Sequence, residues 1–323
     1  MPDPQPHPSS SFAGKTCLVT GGTSGIGLAT ARELARQGGT VVITGRDASR
    51  AEAAVESIRA ESSNPHISFL CADLSSQAEV RRLAREFRAA HSRLDVLINN
   101  AGAIFEYKRR TVDGVEMTLA LNHLAYFLLT IELLDLLKAS SPSRIIVVSS
   151  GAHKDVAAFD FDDPQADHPA KWRGVYSDSR WRSLFYTLAL PWAHPAFLLY
   201  AQSKLANLLF TYELARRLEG TGVTVNALHP GVVATNFSSQ GGPYSWFMRR
   251  FVSFKGITPE EGAKTVVYLA TSSDVEPVSG RYFINEKAAE SSPASHDANA
   301  ARRLWELSEQ LTRAGPASAA HLP

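Results

Sequence analysis

Cysteine is scarce in this chain of 323 residues, which contains only Cys17 and Cys71. Each lies alone in an apolar run, without the paired spacing of a disulfide framework or a zinc site, so we expect neither. An excess of charge of one sign is also lacking, because 33 basic residues face 32 acidic ones. A net charge of +1 provides no general attraction for nucleic acid or anionic lipid. The composition therefore argues against a nucleic-acid partner.

Long uninterrupted hydrophobic runs are absent as well. The longest apolar stretch, around residues 185–199, is broken by Pro191, His194 and Pro195 and is too short to cross a bilayer. Residues 1–11 are rich in Pro and Ser and lack the basic start and apolar run of a signal peptide, so we expect a mobile tail there. These features predict a soluble, cytoplasmic protein without a transmembrane segment.

Short apolar or β-branched runs alternate with longer stretches in which apolar residues recur every three or four positions. The predicted strands are Thr16 to Thr20, Thr40 to Thr44, Ile67 to Cys71, Val96 to Ile98, Ile145 to Ser149, Val223 to Leu228 and Tyr282 to Ile284. The predicted helices are Ala29 to Gln37, Ser49 to Ala60, Ala78 to Ala90, Val115 to Leu137, Gln202 to Leu218 and an amphipathic run at Arg302 to Leu311. This alternation predicts an α/β fold: a single Rossmann-type, doubly wound parallel sheet with helices on both faces.

A glycine-rich loop follows the first predicted strand and leads into a helix predicted to start near Leu28. Its predicted cofactor contacts are Gly21, Thr23, Ser24, Gly25, Ile26 and Gly27. Glycine permits a tight turn at Gly21. At Gly25 and Gly27 the absence of a Cβ atom lets the backbone approach a pyrophosphate. The free N–H groups at the start of the helix would bind that anion. An ordinary turn is the alternative, but the position directly after the first strand favours a dinucleotide site.

The second predicted strand ends at Thr44 and Gly45, and Arg46 is the first charged residue after it. A carboxylate there would bind the ribose 2′-hydroxyl of NAD, whereas a guanidinium can pair with the 2′-phosphate of NADP. Asp47 is better explained as the N-cap of the next helix. The alternative is a solvated Arg46 with Asp47 as the relevant acid. The sequence favours NADP (NADPH), and NAD is the less favoured cofactor.

Two further loops follow predicted strands at the same edge of the sheet. Asp73 and Leu74 follow the third strand, and Asn100, Ala101 and Gly102 follow the fourth. Ligands of open α/β sheets bind at the carboxyl ends of the strands. Each segment alone could be a loop cap or a turn, but together with the glycine loop they predict one cofactor crevice.

Tyr200 and Lys204 are four positions apart in a predicted helix, so both side chains leave one face of it. Such a pair arises easily by chance, and its context gives it meaning. Ser149 and Ser150 end the fifth predicted strand, and Asn122 lies in the long helix after the fourth.

With these motifs the sequence resembles the short-chain dehydrogenase/reductase family, in the branch of retinol dehydrogenases and related NADP-dependent carbonyl reductases. The resemblance covers about residues 13–284. It is carried by the residues already named and by the runs Asp113-Gly114-Val115-Glu116, Leu121-Asn122-His123-Leu124, Ser203-Lys204-Leu205-Ala206-Asn207 and His229-Pro230-Gly231-Val232-Val233.

The resemblance implies a catalytic tetrad of Asn122, Ser150, Tyr200 and Lys204. Tyr200 would exchange a proton with a substrate oxygen held by Ser150, and Lys204 would bind the nicotinamide ribose. Asn122 would order a water in a proton relay. Because a nearby ammonium favours a phenolate, Lys204 is also expected to lower the pKa of Tyr200 toward neutrality. Ser149 competes with Ser150, but the family pattern favours the second serine, and strand alternation sends the two to opposite sides.

The family pattern also implies that Pro230 and Gly231 shape the loop beside the nicotinamide, with Val233 and Thr235 as further cofactor contacts. A plain turn after the strand is the alternative reading of this loop. Tyr200 and Lys204 are counted among the cofactor contacts too.

The 49 residues between Ser150 and Tyr200 exceed the usual family spacing, so the sequence predicts an insertion at residues 151–199. Its aromatic residues are Trp172, Trp181, Phe185, Tyr186, Trp192 and Phe197. They indicate a lid over an apolar substrate, or, with equal weight, a segment that packs on the sheet edge or a neighbouring subunit. We expect one catalytic domain over residues 12–290, with a C-terminal helix and mobile tail in residues 291–323.

The sequence thus predicts an NADP(H)-dependent oxidoreductase for a small apolar aldehyde, ketone or alcohol, retinoid-like or otherwise lipophilic, and it leaves a homo-oligomer open. One alternative is a dinucleotide-sensing binding protein that has lost its chemistry, against which the intact tetrad argues. The other is an NAD-dependent epimerase-type enzyme, which normally needs a larger substrate domain after the sheet than this chain provides.

Overall fold

The computed structural model describes residues 12–168, 194–233, 244, 246–247, 250 and 256–312. Its central element is an eight-stranded sheet with the order β3-β2-β1-β4-β5-β6-β7-β8. The strands are β1 (Thr16–Val19), β2 (Thr40–Gly45), β3 (Ile67–Cys71), β4 (Val96–Asn99), β5 (Ser143–Val148), β6 (Val223–His229), β7 (Arg281–Ile284) and β8 (Lys287–Ala288). Neighbouring strands run parallel from β3 to β7, and only β8 is antiparallel. The predicted doubly wound sheet is confirmed.

Helices cover both faces of this sheet. They are α1 (Gly25–Arg36), α2 (Ala48–Ser62), α3 (Gln77–Ala90), α4 (Met117–Ala139), α5 (Pro195–Arg217), α6 (Pro259–Thr271) and α7 (Ala298–Thr312). One hydrophobic core lies between the sheet and α1, α2 and α6, and a second lies between the sheet and α3, α4 and α5. In α3, for example, Val80, Leu83, Ala84 and Phe87 are buried at the three- and four-residue spacing of one helix face.

The C-terminal amphipathic run at Arg302 to Leu311 lies within α7, which packs against α4 and α5. The ring of Trp305 lies 5.0 Å from that of Phe127 and 6.1 Å from that of Phe210. Residues 291–312 thus pack on the catalytic domain's own core. The predicted tails, the insertion residues Trp172, Trp181, Phe185, Tyr186 and Trp192, and the cofactor candidate Thr235 lie outside the described residues.

Two helix starts near the predicted site differ from the sequence prediction. Helix α1 begins at Gly25 rather than near Leu28, so the glycine loop enters the helix directly. Helix α5 begins at Pro195, inside the predicted insertion, because proline is favoured in the first turn and His194 caps the helix by accepting from the Ala196 N–H at 3.2 Å. Residues 195–199 of the predicted insertion therefore belong to helix α5.

Two elements were not predicted. Helix α6 begins with a capping box, in which Thr258 and Glu261 bond each other's backbone N–H groups. Strand β8 returns along β7 through a two-residue turn in which Asn285 and Glu286 have φ values of 49° and 63°. Positive φ at both central residues is what the tightest hairpins require.

Helix α4 was predicted as one regular helix, but residues Ala120–Leu124 form a π-helical turn within it. This turn contains Asn122 and His123, both fully buried. Helix α4 is also long and apolar enough to cross a membrane by length and composition, but 83% of its most apolar window is buried inside the protein. Its apolar character is explained by its place in the core.

Candidate active site

The predicted site residues converge where the chain changes direction across the sheet. Strand β1 lies between β2 and β4, so the connections after β1 and β4 leave toward opposite edges. A crevice forms at the carboxyl ends of strands at such a point, and it is the usual ligand site of open α/β sheets. The glycine loop follows β1, Asn100 to Gly102 follow β4, and Ser150 follows β5.

The glycine loop has the geometry of a phosphate cradle. Gly21 has a φ of 67°, which confirms the predicted tight turn. A Cβ atom on Gly27 would lie 2.4 Å from the carbonyl oxygen of Gly21 and 2.6 Å from Nδ2 of Asn100, so only glycine fits there. Ser24 precedes α1 without capping it through its side chain, which leaves the N–H groups of the first turn for an anion.

The loop after β4 is bonded to the loop after β1. The hydroxyl of Thr20 accepts from the N–H groups of Asn100 and Ala101 at 2.8 and 3.1 Å. The Asn100 amide donates in turn to the Thr20 carbonyl at 2.7 Å. A Cβ atom on Gly102 would lie 3.6 Å from Nζ of Lys204, so this loop runs directly beside the proposed catalytic residues.

The remaining cofactor candidates, Arg46, Asp73 and Leu74, follow strands β2 and β3. Arg46 is exposed, and Asp47 caps α2 by accepting from the Arg50 N–H at 3.1 Å, as predicted. Asp73 bonds the N–H and hydroxyl of Ser75 at 3.0 and 2.8 Å. The side chain of Leu74 packs in the hydrophobic core rather than in the crevice.

The structure brings Ser150, Tyr200 and Lys204 together. The side chain of Ser150 is close enough to the Tyr200 hydroxyl to favour its phenolate. Nζ of Lys204 donates to the backbone carbonyl of Val148 at 2.9 Å and lies 5.4 Å from the centroid of the Tyr200 ring. Ser149 faces the other way, as strand alternation predicts, and its hydroxyl donates to the backbone carbonyl of Lys204 at 2.9 Å.

Burial controls the protonation of this group. It raises the pKa of Tyr200 to about 12, against the opposing effect of the neighbouring Ser150 side chain. It also lowers the pKa of Lys204 to about 7. The expected lowering of the Tyr200 pKa is therefore wrong for this geometry, because desolvation of the phenolate outweighs the nearby amine, which faces the ring and bonds Val148. At neutral pH burial therefore favours the protonated form of Tyr200.

The side chain of Asn122 joins the loop after β4 to helix α5 through hydrogen bonds. Its Oδ1 accepts from the N–H of Ala103 at 2.9 Å, and its Nδ2 donates to the Ala103 carbonyl at 2.9 Å and to the Ser203 hydroxyl at 3.1 Å. Both amide hydrogens are thus used within the protein. The relay water expected at Asn122 stays a prediction.

The loop after β6 borders the same crevice. Gly231 has a φ of 91°, and a Cβ atom there would lie 2.6 Å from Cδ1 of Ile257. Val233 forms an isolated bridge with Ile257, which brings the loop back to the start of α6. Pro230 is partly buried beside them.

Sequence reasoning missed several residues that contact the tetrad. His153 bonds the backbone of Ser150, Tyr126 places its ring 5.9 Å from Nζ of Lys204, and Tyr244 belongs to the same apolar cluster as Tyr200. Ser203 is bonded to Asn122. A local signal existed only for His153 and Ser203, which stand three residues from Ser150 and Tyr200 in the chain.

Comparison with known proteins agrees with this geometry. A family model described as short chain dehydrogenase matches residues 15–159. Retinol dehydrogenase 13 of Homo sapiens is 41% identical over 314 residues, which cover 94% of this chain and 86% of that protein. The chain belongs to the short-chain dehydrogenase family. It is an oxidoreductase of this family, similar to the retinol dehydrogenases.

Solved structures of short-chain dehydrogenases share the fold. A crystal structure of a protein from Mycobacterium paratuberculosis superposes with a TM-score of 0.69 at 33% identity, covering 95% of this chain and 96% of that chain. The complex of Pseudomonas aeruginosa RhlG with NADP superposes with a TM-score of 0.62 at 27% identity, covering 86% of this chain and 96% of that chain. The cradle at Gly27 and the uncapped start of α1 fit the nicotinamide dinucleotide that such enzymes use.

We expect Gly27→Ala to weaken dinucleotide binding by about tenfold or more and to destabilise the protein by about 1–3 kcal/mol, because the new methyl group would press on the backbone of Gly21. Titration with NADPH and thermal unfolding measure the two effects. Gly220→Ala is the matched control, since Gly220 has a φ of 76° but nothing within 4 Å of its Cβ position. Equal dinucleotide affinity in both variants would contradict the assignment of the loop.

Proposed function

We propose that the protein is an NADP(H)-dependent oxidoreductase that interconverts an apolar aldehyde or ketone and the matching alcohol, with Tyr200 as the general acid and base. The observation that carries this proposal is the convergence of the Ser150 and Tyr200 side chains beside the amine of Lys204. These groups stand at the carboxyl end of β5, next to the loops that fit a dinucleotide.

A bound nicotinamide would supply or take up the hydride. Ser150 would donate a hydrogen bond to the substrate oxygen and fix its position. During reduction Tyr200 would transfer its phenolic proton to that oxygen, and burial favours the protonated form that this step needs. Lys204 would stabilise the phenolate that is left, because a cation near a phenolate lowers its energy, and it would also hold the nicotinamide ribose.

An apolar substrate is supported by the surroundings of Tyr200. The side chains of Ile104, Ala152, Phe197 and Tyr244 form one buried cluster with it. Phe197 comes from the predicted insertion, and its ring lies 6.4 Å from that of Tyr200. The name of the similar retinol dehydrogenase 13 points to the same class of substrate, a lipophilic alcohol or aldehyde.

Oxidation of NADPH in the presence of an aldehyde panel tests the function. The panel pairs short-chain aldehydes with long-chain and retinoid aldehydes, each with NADPH and with NADH. We expect NADPH-dependent turnover that increases with apolar chain length. Dinucleotide binding without turnover of any aldehyde, ketone or alcohol would favour the sensing protein, and turnover of nucleotide sugars would favour an epimerase.

The choice of NADP is tested by Arg46→Asp. Arg46 is exposed at the end of β2, where it can pair with a 2′-phosphate. We expect the affinity for NADPH to fall by about ten- to a hundredfold, as the loss of about 1.5–3 kcal/mol from a charge-assisted contact predicts, and the preference to shift toward NADH. Arg50→Asp, one helical turn away in α2, is the control. A wild-type protein that already prefers NADH would refute this use of Arg46.

A further inference from the structure

His153 connects the backbone of Ser150 to the C-terminal segment of the chain. It lies in the short 3-10 turn Gly151–Asp155 that follows β5, and its ring is fully buried. Nδ1 lies 2.6 Å from the carbonyl oxygen of Ser150. Nε2 lies 3.0 Å from the backbone nitrogen of Ser292.

These two contacts define the proton on the ring. The backbone N–H of Ser292 can only donate, so Nε2 must be the unprotonated, accepting nitrogen. Nδ1 therefore carries the hydrogen and donates it to the Ser150 carbonyl. Burial lowers the pKa of His153 against the opposing effect of the bond to the Ser150 carbonyl, which favours this neutral form of the ring.

The segment that holds His153 is itself fixed to the helix that carries Tyr200. The hydroxyl of Ser291 is bonded to the Tyr212 hydroxyl of α5 at 2.7 Å and to Nε2 of His296 at 2.9 Å. The ring of His153 also lies edge-on to Tyr282 of β7, with centroids 5.2 Å apart. Ser150 is thus connected to the helix of Tyr200 through His153 and Ser291–Ser292.

We propose that His153, as its Nδ1–H tautomer, is a positioning residue that fixes the backbone of Ser150 and so sets the place of the Ser150 hydroxyl relative to Tyr200. This inference rests on the proposed function, because it assigns the hydroxyl of Ser150 to the substrate oxygen. His153 itself touches neither the substrate nor the cofactor. It holds Ser150 in the extended conformation, with φ −159° and ψ 155°, from which the side chain faces the crevice.

Two amide variants separate the two contacts. In His153→Asn the side-chain NH₂ can take the place of Nδ1 and still donate to Ser150, while the acceptor for Ser292 is lost. In His153→Gln the side-chain oxygen can take the place of Nε2 and still accept from Ser292, while the donor to Ser150 is lost. If His153 had only a structural role, the two variants would lower kcat to the same extent.

We expect His153→Gln to lower kcat by about ten- to a hundredfold, since a small misplacement of a reacting group has effects of this size, and His153→Asn to stay within about threefold of wild type. The Kd for NADPH should stay unchanged in both. Lys154→Gln, the exposed neighbouring residue, is the control and should keep full activity. Equal losses of kcat in the two His153 variants would overturn the proposal.

The ring tautomer gives a second measurement that needs no turnover. Nitrogen NMR of the wild-type protein should show His153 protonated at Nδ1 and unprotonated at Nε2 near neutral pH. An Nε2–H tautomer would overturn the proposal even if both variants failed to fold. Absence of turnover by the wild-type protein with every carbonyl would refute the proposed function instead, and the tautomer would still decide whether His153 holds Ser150.

Discussion

Replacement of Tyr200 by Phe should lower kcat by about a thousandfold, within the range of about 10²- to 10⁴-fold that a positioned proton donor contributes. The variant removes only the hydroxyl beside Ser150 and leaves the ring in its apolar cluster. The Kd for NADPH should stay within about twofold of wild type, because the loops that fit the dinucleotide are unchanged. Steady-state turnover of a long-chain aldehyde and fluorescence titration with NADPH measure these two quantities.

Tyr268→Phe is the matched control for this experiment. Tyr268 lies on α6, against Phe283 of β7, and it has no contact with the tetrad. Its loss of a hydroxyl should leave kcat unchanged. Residual turnover of Tyr200→Phe within tenfold of wild type would show that another group donates the proton.

Replacement of Lys204 by Met should damage both turnover and dinucleotide binding, because the amine is assigned two tasks. We expect kcat to fall by about 10²-fold or more, and the affinity for NADPH to fall by about ten- to a hundredfold through loss of a charge-assisted hydrogen bond. Methionine keeps most of the volume of this buried side chain, so packing is preserved. An unchanged affinity for NADPH would remove the ribose from the tasks of Lys204.

Lys204→Met should also change how the free energy of unfolding depends on pH. Burial lowers the pKa of Lys204 from 10.5 to about 7, so between these values the unfolded chain binds a proton that the folded protein does not. The contribution of Lys204 to stability is therefore fully present above pH 10.5 and is lost as the pH falls toward 7.

Unfolding by denaturant at several pH values tests this contribution. The difference in stability between wild type and Lys204→Met should change in favour of wild type as the pH rises from 7 toward 10.5. Lys264→Met, at an exposed position of α6, is the control and should show no such change. A pH-independent difference for Lys204→Met would mean that the amine is charged in the folded protein throughout this range.

Sequence reasoning found the parts of the site that local spacing specifies. The glycine loop was predicted because its glycines follow a strand directly. Tyr200 and Lys204 were predicted to share one helix face because four positions make about one turn, and their catalytic roles came from the resemblance to the family. The opposite orientation of Ser149 and Ser150 followed from the alternation of a strand. Each of these inferences needs only a few neighbouring residues.

The contacts that were missed join residues far apart in the chain. His153 is bonded to Ser292, 139 positions later, and nothing in the local sequence of either residue indicates the other. The π-helical turn around Asn122 was missed because its apolar pattern does not differ from that of a regular helix. Helix α6 could have been predicted, since Thr258 and Glu261 have the spacing of a capping box.

The pKa of Tyr200 was predicted in the wrong direction for a related reason. A nearby lysine in the sequence indicates a charge that favours the phenolate, but the sequence does not show how deeply both groups are buried. Desolvation acts on both residues at once: it raises the pKa of Tyr200 and weakens the charge of Lys204 that was expected to oppose it.

The strand order also determines when the site can form during folding. Thr20 is hydrogen-bonded to Asn100, 80 positions later. Asn122 is hydrogen-bonded to Ser203, 81 positions later. Contacts of such high sequence separation form late, because the entropy of closing the intervening chain must first be overcome. We therefore expect the loop after β1 and the tetrad to reach their final geometry late in folding. A nascent chain that ends before β4 carries the whole glycine motif without the partner that gives it its shape.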